Sequence, residues 1–184
     1  MDLQQRLQLL PNQARSYIEG TIECIHDQWV FFDEQDEATS LKELTNQTFE
    51  ILIQGKWMTF QEINKGVAFG HETYTLRQGD RLRVEKPLLY VYREWLTELS
   101  DEALNHFVSM INDVGYSIYD CIYCYNHLFL QVGKEKGQGV NFLIFDNEVQ
   151  ICAVQHHFDR KHTAKDRFEL TLNNGARRLL MNTP

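Results

Sequence analysis

With 184 residues, a mass of 21.8 kDa and 43% apolar composition, the chain can build one or two hydrophobic cores without covalent staples. Its net charge of -8 is spread, with 9 basic and 14 acidic residues in 1–92 against 9 and 12 in 93–184, so neither half has the basic excess of a nucleic-acid binder. No apolar run approaches the roughly 18 residues of a membrane helix, and four cysteines with no signal-peptide pattern at the N-terminus predict a reducing, cytoplasmic setting.

Leu3, Leu7 and Leu10 have helical spacing before Pro11, which predicts a short N-terminal helix. The period then becomes 2. Ile18, Gly20, Ile22 and Cys24 alternate with Glu19, Thr21 and Glu23, predicting a strand with Cys24 turned to the core. Trp29 to Phe32 makes a second strand, and the acidic loop 33–37 lacks the central Gly that a calcium loop requires. Residues 49–53 and 56–60 flank Gln54-Gly55 as a hairpin, and 72–76 and 81–85 add further strands. Short strands at this spacing predict a small antiparallel β barrel or bent sheet over residues 1–86.

Residues 87–184 are expected to form a helix pair packed on an antiparallel β meander, so the class is α+β. Pro87 suits a helix start, with Leu88, Tyr92, Trp95 and Leu99 following the 3.6 period and Val91 and Leu96 beside them. Ser100 caps a second helix whose stripe is Leu104, Phe107, Val108, Ile111 and Val114, ending at Gly115. Beyond it, a two-residue turn at Asn126-His127 would pair Cys121, Tyr123 and Tyr125 with Val132, Leu130 and Leu128 on a buried face, leaving Asp120, Cys124 and Asn126 outside. A turn at Asp146-Asn147 would likewise bury Val140, Phe142 and Ile144 beside Val149, Ile151 and Ala153. Phe168, Leu170 and Leu172 alternate as another strand.

Several constellations look chemical. Cys121-x-x-Cys124, with Cys152, His127, His156 and His157 to complete a tetrahedron, has the spacing of a zinc site, but on a strand residues three apart project to opposite faces. No metal and no cofactor are therefore expected, with Cys121, Cys124 and His127 as the alternative ligands. A Cys152–His156 dyad fails on distance, because four strand residues span roughly 13 Å. The phosphate loop, dinucleotide fingerprint, His-Glu-x-x-His and Gly-x-Ser-x-Gly are all absent. The glycine-rich stretch Gly133 to Gly139 lies between strands rather than opening a helix.

The layout opened by Tyr17-Ile18-Glu19-Gly20-Thr21-Ile22-Glu23 and closed by Asn141-Phe142-Leu143-Ile144-Phe145-Asp146-Asn147-Glu148-Val149 resembles a family of small Bacillus-type bacterial proteins of unknown function. The resemblance implies a bacterial cytoplasmic setting and carries over no activity. The residues themselves point to a non-enzymatic binding or interaction module that meets a protein partner or a second copy, with neither membrane nor nucleic acid expected. The candidate contact residues are His156, His157, Arg160, Lys161, Lys165, Arg167, Tyr119 and Phe129, with Phe158 beside them on the sheet's outer side or edge. The alternatives are a small hydrolase or a metal-binding protein using His156, His157 and Asp159, the hydrolase requiring those three to converge in a pocket, and nucleic-acid binding through the N-terminal strands.

Overall fold

The structure is a computed structural model that describes residues 2–44, 49–63, 66–69, 72–129, 137–161 and 164–182. It divides into two compact units, residues 16–87 and residues 1–15 with 88–184. Both units are built on antiparallel sheets, so the class is α+β.

The 16–87 unit contains β1 (Tyr17–Ile25), β2 (Gln28–Asp33), β3 (Ala38–Ser40), β4 (Phe49–Ile53), β5 (Lys56–Ile63), β6 (Gly66–Phe69), β7 (Glu72–Tyr74) and β8 (Arg81–Glu85). They form one open sheet in the order β3-β2-β1-β8-β4-β5-β6-β7, a bent sheet rather than a closed barrel. Gln54 and Gly55 hold the left-handed angles that a two-residue hairpin requires, at φ +50° and +79°. Ile22, Phe31, Ile51, Leu82 and Val84 form the core. At Gly20 a Cβ would lie 2.0 Å from the Phe32 carbonyl oxygen, so only glycine lets β1 and β2 approach this closely. Cys24, expected inside, is exposed, because β1 continues past the core toward its hairpin end. On the outer face Arg83 sits 4.0 Å from the Tyr17 ring centre and 4.6 Å from that of Trp57, ion-paired with Glu50, while Arg81 pairs with Glu19 at 2.7 Å.

In the other unit, helices α1 (Leu3–Gln8), α2 (Tyr90–Glu98) and α3 (Asp101–Asn112) pack on a meander of β9 (Cys121–Tyr125), β10 (Gln138–Asp146), β11 (Ile151–Asp159), β12 (Lys165–Leu172) and β13 (Arg177–Asn182), in the order β13-β12-β11-β10-β9. Ser100 caps α3 through the Ala103 amide as expected, and Gly115 at φ +85° ends the turn behind it. Tyr92, Trp95, Phe107, Ile111, Phe145 and Phe168 lie fully or almost fully buried between helices and sheet.

Which face of the sheet is buried differs from the expectation. The register does place Phe142 and Ile144 on one side with Ile151 and Ala153, but that side faces outward, and Asn141, Leu143, Phe145, Cys152, Val154, His156 and Phe158 are inside. The connection is a four-residue loop at 147–150, held by Val149 and Gln150 amides donating to Asn147 Oδ1, and Val149 is exposed. Nor does Asn126-His127 make a hairpin. Leu128 lies in a turn, and β9 pairs with β10 instead, Tyr125 facing Phe142 and Tyr123 facing Ile144. Tyr123 and Tyr125 are therefore exposed, while Asp120 and Asn126 are buried. The proposed pairings with Leu130 and Val132, and the glycine-rich stretch up to residue 136, lie outside the described residues. A bulge between Ile144 and Phe145 takes up one residue of β9, so Cys121 and Cys124 both pack against the core despite being three apart.

The N-terminal segment is tied in by two arginines. Helix α2 ends without a basic side chain in its last turn, and buried Arg6 supplies the missing donors. Its Nη1 donates to Leu96 and Thr97 carbonyls at 3.3 Å and its Nη2 to Leu99 at 2.7 Å, while Nε meets Asp101 at 2.7 Å. Arg15 grips the buried Asp120 with Nε at 2.8 Å and Nη2 at 2.6 Å. Replacing Arg6 by Met is expected to destabilise the protein by about 2 kcal/mol, the range of hydrogen bonds from a charged group. Urea unfolding measures this, and a change within experimental error would mean that water caps α2 equally well.

Candidate functional site

The densest polar cluster lies inside the 1–15/88–184 unit and is centred on His156. Period-2 alternation of β11 turns His156 inward, and the register sets it between Asn141 on β10 and Phe168 on β12, with Trp95 of α2 above. The ring is completely buried and stacks on Phe168 at 4.6 Å between centres. Trp95 Nε1–H donates to His156 Nδ1 at 2.9 Å, and Asn141 Nδ2 approaches the same nitrogen at 3.0 Å. His156 Nε2 meets Asp166 Oδ1 at 2.7 Å, and Arg160 Nη2 donates to that oxygen at 2.6 Å. Asn141 Oδ1 accepts the His127 and Leu128 amides at 2.7 and 3.1 Å, which pins the turn after β9.

Hydrogen-bond chemistry assigns the tautomer. An indole N–H only donates, so Nδ1 is the acceptor and the proton sits on Nε2, facing the Asp166 carboxylate. The ring is neutral, and burial holds its pKa below the usual histidine value against the opposing pull of Asp166. Burial pushes Asp166 up, but the hydrogen bonds from His156 and Arg160 outweigh it and hold its carboxyl below the usual range. Both depressed pKa values make stability fall with falling pH. Below about pH 6.5 the unfolded imidazole takes up a proton that folded His156 refuses, and below about 3.8 Asp166 adds the same effect. The urea midpoint is expected to drop between pH 7.5 and 5.5, and to drop less in His156→Gln; equal slopes for the two proteins would refute a neutral His156.

A His–Asp pair is half of a catalytic triad, but here the imidazole has no free nitrogen and no opening to solvent. Cys152 shares the inward face four residues away, and burial pushes its thiol up to about 12. Burial also raises Cys121, and Cys124 to about 12, so none of the three supplies a thiolate near neutrality. His127 stacks on Tyr125 at 6.3 Å, and among the described residues no three His, Cys, Asp or Glu side chains are arranged to hold a metal ion.

The remaining candidate residues divide between the two faces. His157 and Asp159 are outward neighbours of His156, so the three do not converge: His157 Nε2 lies 3.6 Å from Glu169, to which Arg167 donates at 2.9 Å. His157, Asp159, Lys165 and Arg167, with Val140 and Met181, line a groove of about 430 Å³ at one end of the sheet. Arg160 lies over the Phe158 ring at 5.8 Å, and Phe158 is buried rather than on the outer side. Lys161 is exposed, its amide donating to Asp159 Oδ1. Tyr119 sits in the 3-10 turn Ile118–Asp120, half-buried against the core, and Phe129 is exposed after the turn that follows β9. Trp95, Asn141 and Asp166 were missed. Asn141 and His156 share the inward face by strand parity, but the two-residue turn predicted at Asp146-Asn147 sets Asn141 opposite Cys152, and only the observed four-residue loop brings Asn141 and His156 face to face.

The outer face of the same sheet is apolar over much of its width. One cross-strand row runs Tyr125, Phe142, Gln155, Glu169, Leu179, and the next runs Tyr123, Ile144, Ala153, Thr171, Arg177. Tyr123 is 53% exposed, Phe142 45%, Leu179 61% and, one row over, Met181 62%.

A family model described as "Protein of unknown function (DUF2777)" matches residues 4–182. The chain is 33% identical over 179 residues to the uncharacterized protein YisN of Bacillus subtilis strain 168, an alignment covering 95% of this chain and 90% of that protein. No solved structure matches it.

Proposed function

This chain belongs to the DUF2777 family, described as proteins of unknown function, and we propose that it is a non-enzymatic cytoplasmic interaction protein whose contact surface is the outer face of the five-stranded sheet. The observation that carries this reading is the exposure of Tyr123, Tyr125, Phe142, Leu179 and Met181 on one side of a sheet whose other side packs against the helices. A large aromatic or aliphatic group left in water forgoes about 1.5–3 kcal/mol of burial, and several on one face are best understood as buried in a complex. The closest imidazole–carboxylate pair, His156 with Asp166, is sealed in the core, and the surface pair His157–Glu169 is longer at 3.6 Å and shared with Arg167, which argues against a hydrolase.

Nucleic acid is the weaker partner. The 16–87 unit has 13 acidic residues against 7 basic, and its Arg81 and Arg83 are engaged by Glu19 and Glu50. No helix among the described residues is long and apolar enough to cross a membrane. A photoreactive benzoyl-phenylalanine in place of Phe142, activated in living cells, is expected to yield discrete adducts that the same probe at exposed Glu98 does not. Equal, diffuse labelling at the two positions would reject the outer face as a contact surface.

A further inference from the structure

We propose that the occupant of this face is a second copy of the chain, docked sheet on sheet about a two-fold axis running along β11 through Gln155. The inference rests on the outer face being the contact surface and names its partner. The face is made of two unlike halves. Strands β9 and β10 contribute Tyr123, Tyr125 and Phe142, whereas β12 and β13 contribute Arg167, Glu169, Thr171, Arg177, Leu179 and Met181, with Gln155 of β11 between them. Rotation about β11 exchanges β9 with β13 and β10 with β12. It sets Tyr125 against Leu179 of the second copy, Tyr123 against its Arg177 and Phe142 against its Glu169, whose carboxylate is already held by Arg167, each twice.

Those pairings suit the chemistry. A guanidinium over a tyrosine ring is a cation–π contact, and Met181 beside the aromatic half supplies a thioether, which packs well at ring edges. Arg177 forms no ion pair within its own chain among the described residues, so it brings a free cation to the contact. The size is also sufficient. Five strands about 4.8 Å apart and roughly eight residues long at about 3.4 Å each make a face of roughly 650 Å², close to the roughly 800 Å² per partner of a standard stable interface. Aligned packing of two such sheets is a common arrangement in sandwiches.

Charge permits it as well. Most of the net charge lies in the 16–87 unit, while the unit that carries the face has 11 basic and 13 acidic residues and is nearly neutral. Two copies therefore meet through their least repulsive part.

Sedimentation of the full chain from about 1 to 200 µM tests the proposal in the range where standard interfaces dissociate. The wild type is expected to pass from monomer to dimer. Tyr125→Asp and Leu179→Lys are each expected to weaken the dimer by about ten-fold or more, with circular dichroism unchanged. Mixing the two variants is expected to restore it, because one contact becomes Asp against Lys and the other remains wild type. Should Tyr125→Asp fail to fold, Tyr123→Lys and Arg177→Glu provide a second pair: Lys opposite Arg177 repels and Glu opposite Tyr123 loses the cation–π contact, so each weakens the dimer alone, and mixing them sets Lys against Glu and restores it. A wild type that stays monomeric, or variants that do not complement, overturns the two-fold dimer. If the wild type is monomeric yet the probe at Phe142 still captures a protein of a different mass, the interaction surface stands and only the second copy is refuted.

Discussion

Asp166→Ala is expected to lower the stability of the protein by about 3–5 kcal/mol, the cost of removing one partner from a buried charged pair. Asp166 Oδ1 takes hydrogen bonds from both His156 Nε2 and Arg160 Nη2. Its loss strands the imidazole N–H in a site with no solvent exposure and leaves the half-buried Arg160 guanidinium without its anion. Nor can the imidazole adapt by changing tautomer, because Trp95 Nε1–H already occupies Nδ1. Asp166→Asn keeps an acceptor and loses only the charge, so its cost is expected to be smaller, about 1–2 kcal/mol. Urea unfolding followed by circular dichroism compares the two. If Ala and Asn cost the same and little, water reaches the site and the network is not a sealed one.

Trp95→Ala is the second large effect. The side chain is completely buried, stacks on Tyr92 at 5.7 Å, meets Phe107 edge-on at 4.9 Å, and donates the hydrogen bond that orients His156. Truncation leaves a cavity among rings that cannot close around it and is expected to cost about 3–5 kcal/mol, which for a chain of this size lowers the melting temperature by roughly 6–20 °C. Trp95→Phe retains most of the ring and removes the N–H, so the difference between the two variants separates packing from hydrogen bonding. A thermal melt of Trp95→Ala within about 2 °C of wild type, too small a shift for a lost core ring, would mean that the helices reseat on the sheet without it.

Much of the local structure was legible in the residues. Gln54-Gly55 marks its hairpin because few residue pairs tolerate two left-handed positions. Ser100 and the stripe from Leu104 to Ile111 mark α3, because capping and a 3.6 period are local properties. The likeness to small Bacillus-type proteins agrees with the family match over residues 4–182. Among the candidate contact residues, the outer-face members His157, Lys165 and Arg167 do come together around one groove. Phe158 also borders that groove although it is almost fully buried, whereas His156 does not join them, and Trp95 lies 61 residues from His156 in sequence, beyond any pattern of spacing.

The choice between the two faces of the second sheet shows where local reading stops. Phe142 and Ile144 outside are at least as apolar as Asn141 and Leu143 inside, so alternation alone does not say which set is buried. Asn141 and His156 on the inner face are polar, which counts against burial until their hydrogen-bond partners are known. Tertiary structure reverses that judgement, because Trp95 and Asp166, brought from a helix and from the next strand, satisfy His156, and the His127 and Leu128 amides of the turn after β9 satisfy Asn141. By itself, the sequence determined the α+β class, the capped helix, the antiparallel strands and the two-residue turn, all of which depend on neighbours within a few positions. Only the tertiary structure decided which face is core, that Cys121 and Cys124 share a side through a bulge, and that Tyr123, Phe142 and Leu179 stay exposed, because each of these depends on what a distant segment supplies.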